Sequence, residues 1–183
     1  MQLVVRARRR ALVQRGRGRV LDLGGADAHR SLWASTPGVD SVTVLDGAGD
    51  TRLADLAAGA ERFDTVVSVF QLAGADRLDA SLAHLRSLLA AGGELLFLEP
   101  ARLVGLAGRV QRAVAPPLGA LTGWRLDRDV PMALRDSGLS VTSIRRHRVP
   151  TLQWWLRQLV EGRAHHRLVP GAGGEAAPAP ADG

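Results

Sequence analysis

The chain has 183 residues, 46% of them apolar, which suits one globular domain with a core of its own. It contains no cysteine, so disulfides, thiolate metal sites and cysteine nucleophiles are excluded. The formal net charge is +6, but the surplus is arginine in a background rich in alanine and glycine. Only 4% of residues are aromatic, so base-stacking platforms are scarce and nucleic acid is disfavoured as a partner.

Met1 to Gly18 carries six arginines (6, 8, 9, 10, 15 and 17) and is expected to be a basic N-terminal arm, with one short helix before a turn at Gly16 and Gly18. It lacks the long apolar stretch of a secretory signal, so cytoplasmic residence is the default expectation. Arg19–Leu23 is a short apolar strand ended by Gly24 and Gly25, and Ala28–Ser35 a helix stopped by Pro37-Gly38. Ser41–Asp46, rich in β-branched residues, is a second strand, and Asp64–Phe70 is another, apolar enough to be buried on both faces. Leu78, Leu82, Leu85 and Leu89 recur at helical spacing and predict an amphipathic helix that stops at Gly92-Gly93. Glu94–Glu99 is the next strand. Ala101–Leu121 is expected to be irregular and broken by Pro116-Pro117. A helix over Asp127–Ser137 needs Pro131 in its first turn. Leu139–Ile144 predicts a strand, Thr151–Val160 a helix carrying Trp154 and Trp155, and Arg163–Val169 a last strand. The Gly-, Ala- and Pro-rich tail over 170–183 has little to bury and is expected to be disordered. The folded domain is thus placed at 19–169. No run of about 18 apolar residues occurs, so no membrane span is expected.

Strands that alternate with helices and are apolar along their length imply a mostly parallel α/β sheet covered on both faces. Such sheets bind ligands at the carboxyl ends of their strands, near the point where strand order reverses. At the first strand end a carboxylate, Asp22, precedes Gly24 and Gly25, whose missing side chains allow close backbone approach. A carboxylate there suits a ligand with an ammonium group and repels a pyrophosphate. Asp46, about twenty residues on, is placed to accept hydrogen bonds from ribose hydroxyls. The Gly-x-Gly-x-x-Gly pattern of dinucleotide binders is absent after Leu23.

These segments resemble the class I S-adenosylmethionine-dependent methyltransferases that act on small molecules and lipids. Val20–Gly25 resembles the first motif, Val42–Asp46 the second strand and Phe63–Leu72 the fourth. Leu85–Pro100 resembles the helix, Gly-Gly turn and fifth strand, and Leu126–Val141 the closing helix and sixth strand. The resemblance implies a Rossmann-like methyltransferase fold, S-adenosylmethionine as cofactor, and direct methyl transfer to a small-molecule or lipid-like acceptor. It also implies roles: Asp22 for the methionine amine, Gly24 and Gly25 for backbone passage, Asp46 for the ribose, Asp55 for the adenine amino group and Phe70 beside the sulfonium. No catalytic base is assigned, and proximity of a reactive methyl donor suffices for such chemistry.

Two departures stand out. Ala26 and Ala28 occupy positions where the first motif usually has glycine. Only about sixteen residues separate Asp46 from Phe63, too few for a helix, a strand and a second helix. The helix after the second strand is therefore expected to be lost or cut to a turn, with Thr51–Ala54 as a rudimentary strand. These departures motivate an alternative: a non-catalytic methyltransferase-like module for binding or oligomerisation. A third reading gives the arginine-rich N-terminus an anionic surface to bind. His165 and His166, adjacent in a strand, point to opposite faces and make poor joint metal ligands, so no metal is expected.

Overall fold

The computed structural model describes residues 2–24, 30–45, 50–122, 125 and 128–166. Six strands form one sheet: β1 (Gly18–Leu23), β2 (Val39–Leu45), β3 (Phe63–Val69), β4 (Leu89–Pro100), β5 (Leu139–Arg148) and β6 (Gln158–His166). Their spatial order is β2-β1-β3-β4-β6-β5. The first four are parallel, and β6 runs antiparallel to both β4 and β5. Strand order reverses between β1 and β3, which sets the expected ligand crevice at the carboxyl ends of those two strands.

Among the described residues there are six α-helices: α1 (Gln2–Val13), α2 (Arg30–Ala34), α3 (Asp50–Ala58), α4 (Leu78–Leu88), α5 (Gly105–Thr122) and α6 (Val130–Asp136). On one face α3, α4 and α6 pack Leu53, Leu82, Leu85 and Leu134 against Leu21, Val66, Leu95 and Phe97. On the other, α1 and α2 pack Leu12, Val13 and Trp33 against Val20, Val67, Leu96 and Leu98. The alternation of side chains along each strand divides the core this way, since residues i and i+2 share a face. Residues 2–13 of the basic N-terminal segment are thus part of the packed structure. Leu12 and Val13 are completely enclosed, each worth about 1.5–3 kcal/mol of burial.

Four expectations are corrected. The helix after β2 is present as the nine-residue α3, and Thr51–Ala54 lies inside it rather than forming a strand. The shortening removes a strand, so β2 is the sheet edge, and its Val42 and Val44 are only half-buried. Residues 105–122 form a continuous helix despite Pro116 and Pro117, both exposed within it. Residues 151–160 do not form a helix: one 3-10 turn (Trp154–Leu156) leads directly into β6, which starts at Gln158. Finally, α4 ends at Leu88 and β4 begins at Leu89, so Gly92-Gly93 sit in a register shift within the strand instead of ending the helix. The expected turn position of Pro131 holds: α6 has proline in its first turn, and the Asp129 side chain caps the helix by accepting from the Met132 N–H. The tail over 170–183 lies outside the described residues.

Candidate functional site at the carboxyl ends of β1, β3 and β4

Asp22 sits one residue from the end of β1, paired with Val44 on one side and Val67 on the other. It is completely buried, and its Oδ2 accepts the indole N–H of Trp33 at 2.7 Å. The second residue drawn to it is Arg9 of α1. Burial lowers the pKa of that guanidinium, the charge of Asp22 opposes the shift, and Arg6 adds to it. The carboxylate is therefore held between an indole donor and a cation's field.

Gly24 follows with φ +83°, a conformation that side chains rarely adopt, and its N–H donates to the Leu45 carbonyl at 3.0 Å. The space a Cβ would take at Gly24 is filled by the side-chain amide of Gln71. Any residue other than glycine here would strain the turn and would have to displace that side chain.

Phe70 closes β3 with φ +60°, the one non-glycine residue in the left-handed region among those described. For a bulky side chain this costs on the order of 1–3 kcal/mol, so the surroundings must impose it. They do so from both sides. The Phe70 N–H donates to the Leu98 carbonyl at 2.9 Å, and its half-buried side chain packs against the core cluster on the α1–α2 face of the sheet. The next three N–H groups are fixed by one carboxylate, that of Glu99 in β4.

Glu99 is completely buried and accepts four hydrogen bonds. Its Oε1 takes the Ser68 hydroxyl at 2.8 Å, the Gln71 N–H at 3.2 Å and the Leu72 N–H at 3.1 Å, and its Oε2 takes the Ala73 N–H at 3.0 Å. Burial raises its pKa from 4.5 to about 7, and the four donors, which favour the ionised form, hold it from rising further. The observed geometry is that of a clamp on residues 70–73.

The structure thus brings Asp22, Gly24 and Phe70 together at the switch point. Asp55 is exposed on α3, outside this cluster. Gly25 and Asp46 lie outside the described residues, as do Ala26 and Ala28. Trp33, Gln71 and Arg9 were missed from sequence. Gln71 carried a signal, since it follows a predicted strand end, whereas Trp33 and Arg9 reach the site only through helix packing.

A second polar cluster ties α1 to the antiparallel strands. Glu161 of β6, buried, lies 3.1 Å from Arg15, 3.7 Å from Arg8 and 3.0 Å from His147 Nε2 of β5. It lies away from the switch point, on the strands that carry no parallel neighbour.

No family model matches the sequence, and no curated protein is detectably similar to it. Solved structures are. The N-methyltransferase NodS from Bradyrhizobium japonicum WM9 is 18% identical with a TM-score of 0.57, over 89% of this chain and 97% of that one. The fold is that of a class I methyltransferase. The NodS complex with S-adenosyl-L-homocysteine superposes with a TM-score of 0.58 at 17% identity, over 89% of this chain and 88% of that one. The [4+2]-cyclase SpnF shares the architecture at 15% identity and a TM-score of 0.57, over 86% of this chain and 79% of that one. A cyclase among these neighbours shows that the methyltransferase fold does not by itself dictate the reaction, which has to be argued from the site.

Proposed function

We propose that this chain binds S-adenosylmethionine at the carboxyl ends of β1 and β3 and transfers its methyl group to a small-molecule or lipid-like acceptor. The observation that carries the reading is the strained Phe70, held at φ +60° at the switch point beside the Asp22–Gly24 turn. Strain of this kind persists where the surrounding structure over-determines it, and it clusters at ligand sites. Three consecutive N–H groups of the following turn and the Ser68 hydroxyl converge on one buried carboxylate, which holds the strained segment in place.

The residues present fit the cofactor in its methionine half. Asp22 supplies the negative charge an ammonium needs, and Gly24 supplies a backbone without a side chain. Gln71 occupies that space with a flexible, half-buried amide that can swing aside. When bound, S-adenosylmethionine supplies an electrophilic methyl group on a sulfonium. Asp22 would orient the amine, Phe70 would shield the sulfonium from water, and Glu99 would keep the 70–73 segment in place. Methyl transfer would then need in-line approach of an acceptor nucleophile, with S-adenosylhomocysteine as leaving group and any acceptor proton passing to solvent; no residue is assigned as a base.

The covering of Gly24 by Gln71 and the engagement of Asp22 by Trp33 also favour a second reading, in which the turn has become internal packing and the chain is a non-catalytic module. Calorimetry of the full chain with S-adenosylmethionine and S-adenosylhomocysteine separates the two. The first reading expects binding at micromolar ligand, weakened at least about tenfold in Asp22→Asn through loss of a charge-assisted contact. Absence of heat at millimolar ligand in both wild type and Gln71→Ala supports the second.

A further inference from the structure

Helix α5 packs the reverse of most surface helices. The side that touches the rest of the chain carries Gly108, Gln111 and Ala115, all buried. Gly108 lies against the Leu103 carbonyl so closely that a Cβ there would collide with it, and Gln111 Oε1 accepts the Leu103 N–H at 2.8 Å. The helix thus folds back on its own lead-in with small and polar residues. Among the residues whose side chains are described, the larger apolar ones point elsewhere. Leu106 is 76% exposed, Val110 is 44% exposed and Val114 is half-buried, each four positions after the last and so on one face. Val104, just before the helix, is 72% exposed. A row of aliphatic side chains left in water on one face marks a surface that another body covers.

The charge of the segment says which body. From Ala101 to Leu126 the sequence contains Arg102, Arg109, Arg112 and Arg125 and no acidic residue. All four arginines are exposed. At 100° per residue, Arg109 and Arg112 lie between the buried side and the apolar row, so cations border the exposed aliphatic stripe along one flank. An apolar row edged by arginines is the pattern of a helix that lies in the plane of a membrane surface. No described helix is long and apolar enough to cross a membrane, so α5 would lie on the surface. A nucleic acid would satisfy the arginines and leave Leu106 and Val110 wet.

We propose that α5 is a docking surface for an anionic lipid bilayer, with Leu106 and Val110 entering the acyl boundary and Arg102, Arg109 and Arg112 facing the lipid phosphates. The docking stands apart from the methyl-transfer reading and holds whether or not the chain is an enzyme. The test is co-sedimentation of the full chain with vesicles of phosphatidylcholine alone or mixed with phosphatidylglycerol, at low and high salt. The expected result is binding to the mixed vesicles only, weakened by salt. Leu106→Asp with Val110→Asp abolishes it. Arg109→Gln with Arg112→Gln lowers affinity about thirtyfold, at about fivefold per arginine. Circular dichroism and melting temperature confirm that both variants stay folded. Equal binding to phosphatidylcholine alone, no binding to the mixed vesicles, or binding unchanged in the variants overturns the proposal. A wild-type dimer that becomes monomeric in Leu106→Asp with Val110→Asp also overturns it, by assigning the face to a second copy of the chain.

Discussion

Helices α1 and α5 both carry arginine and no acidic residue, yet α1 buries Leu12 and Val13 while α5 leaves Leu106 and Val110 exposed. The difference lies in what each finds opposite it. Helix α1 meets two buried carboxylates: Glu161, which takes Arg8 and Arg15, and Asp22, whose charge acts on Arg9. With Arg8 and Arg9 facing acids, α1 can settle Leu12 and Val13 into the core. Among its described side chains, helix α5 buries a glycine, an alanine and a glutamine, and its arginines stay exposed. A basic helix without acids is therefore structural in one place and a surface in the other. Positive charge predicts a partner only once the acids inside the chain have taken their share.

The contrast can be broken first at Leu12. Leu12→Ala removes a completely enclosed side chain, and a loss of roughly 4 kcal/mol is expected in urea denaturation, within the range for buried leucines. A loss below about 1 kcal/mol would mean that α1 is no better anchored than α5.

Next comes the base of α5. The helix leaves the sheet just after Glu99 and Pro100 and the chain returns at Arg125, whose N–H donates to Ala73. Ala73 is itself held by Glu99. The folded-state carboxyl of Glu99 titrates near pH 7 against 4.5 for an unperturbed one, so the folded chain retains a proton that the unfolded chain has released. Its contribution is full below pH 4.5 and is lost as pH rises to about 7. Urea denaturation between those limits should show about 3 kcal/mol of declining stability, and Glu99→Gln should flatten that slope. A slope of the same size in the variant would assign the effect to another group.

The smallest effect sharpens the comparison most. Leu106→Ala, at a side chain 76% exposed, is expected to leave the melting temperature unchanged, within about 0.5 kcal/mol. A large destabilisation would show that α5 packs in solution against something within the chain.

Much of the core architecture was legible in the sequence because its signals are local. The β-branched runs of β2 and β3 and the leucine spacing of α4 stand out without any knowledge of neighbours. The expected helix over Thr151–Val160 failed because the apolar residues that read as helical belong partly to β6, whose pairing with β4 and β5 outweighs local preference. Pro116 and Pro117 were read as a break because each lacks an N–H, but both are exposed, where water can satisfy the carbonyls they leave unpaired.

The sequence by itself determined the parallel α/β plan and the Asp22–Gly24 turn, since strand periodicity and a glycine after an acid are written in adjacent residues. It also showed that something was missing after β2. Only the tertiary structure decided that the loss is a strand rather than a helix, that Phe70 is strained, and that Glu99 clamps the segment beside it. Those features depend on hydrogen bonds between residues about thirty positions apart. The same holds for α1 and α5. Their arginines are equally visible in the sequence, but whether an arginine is matched inside the chain depends on a carboxylate that folding brings from far along it.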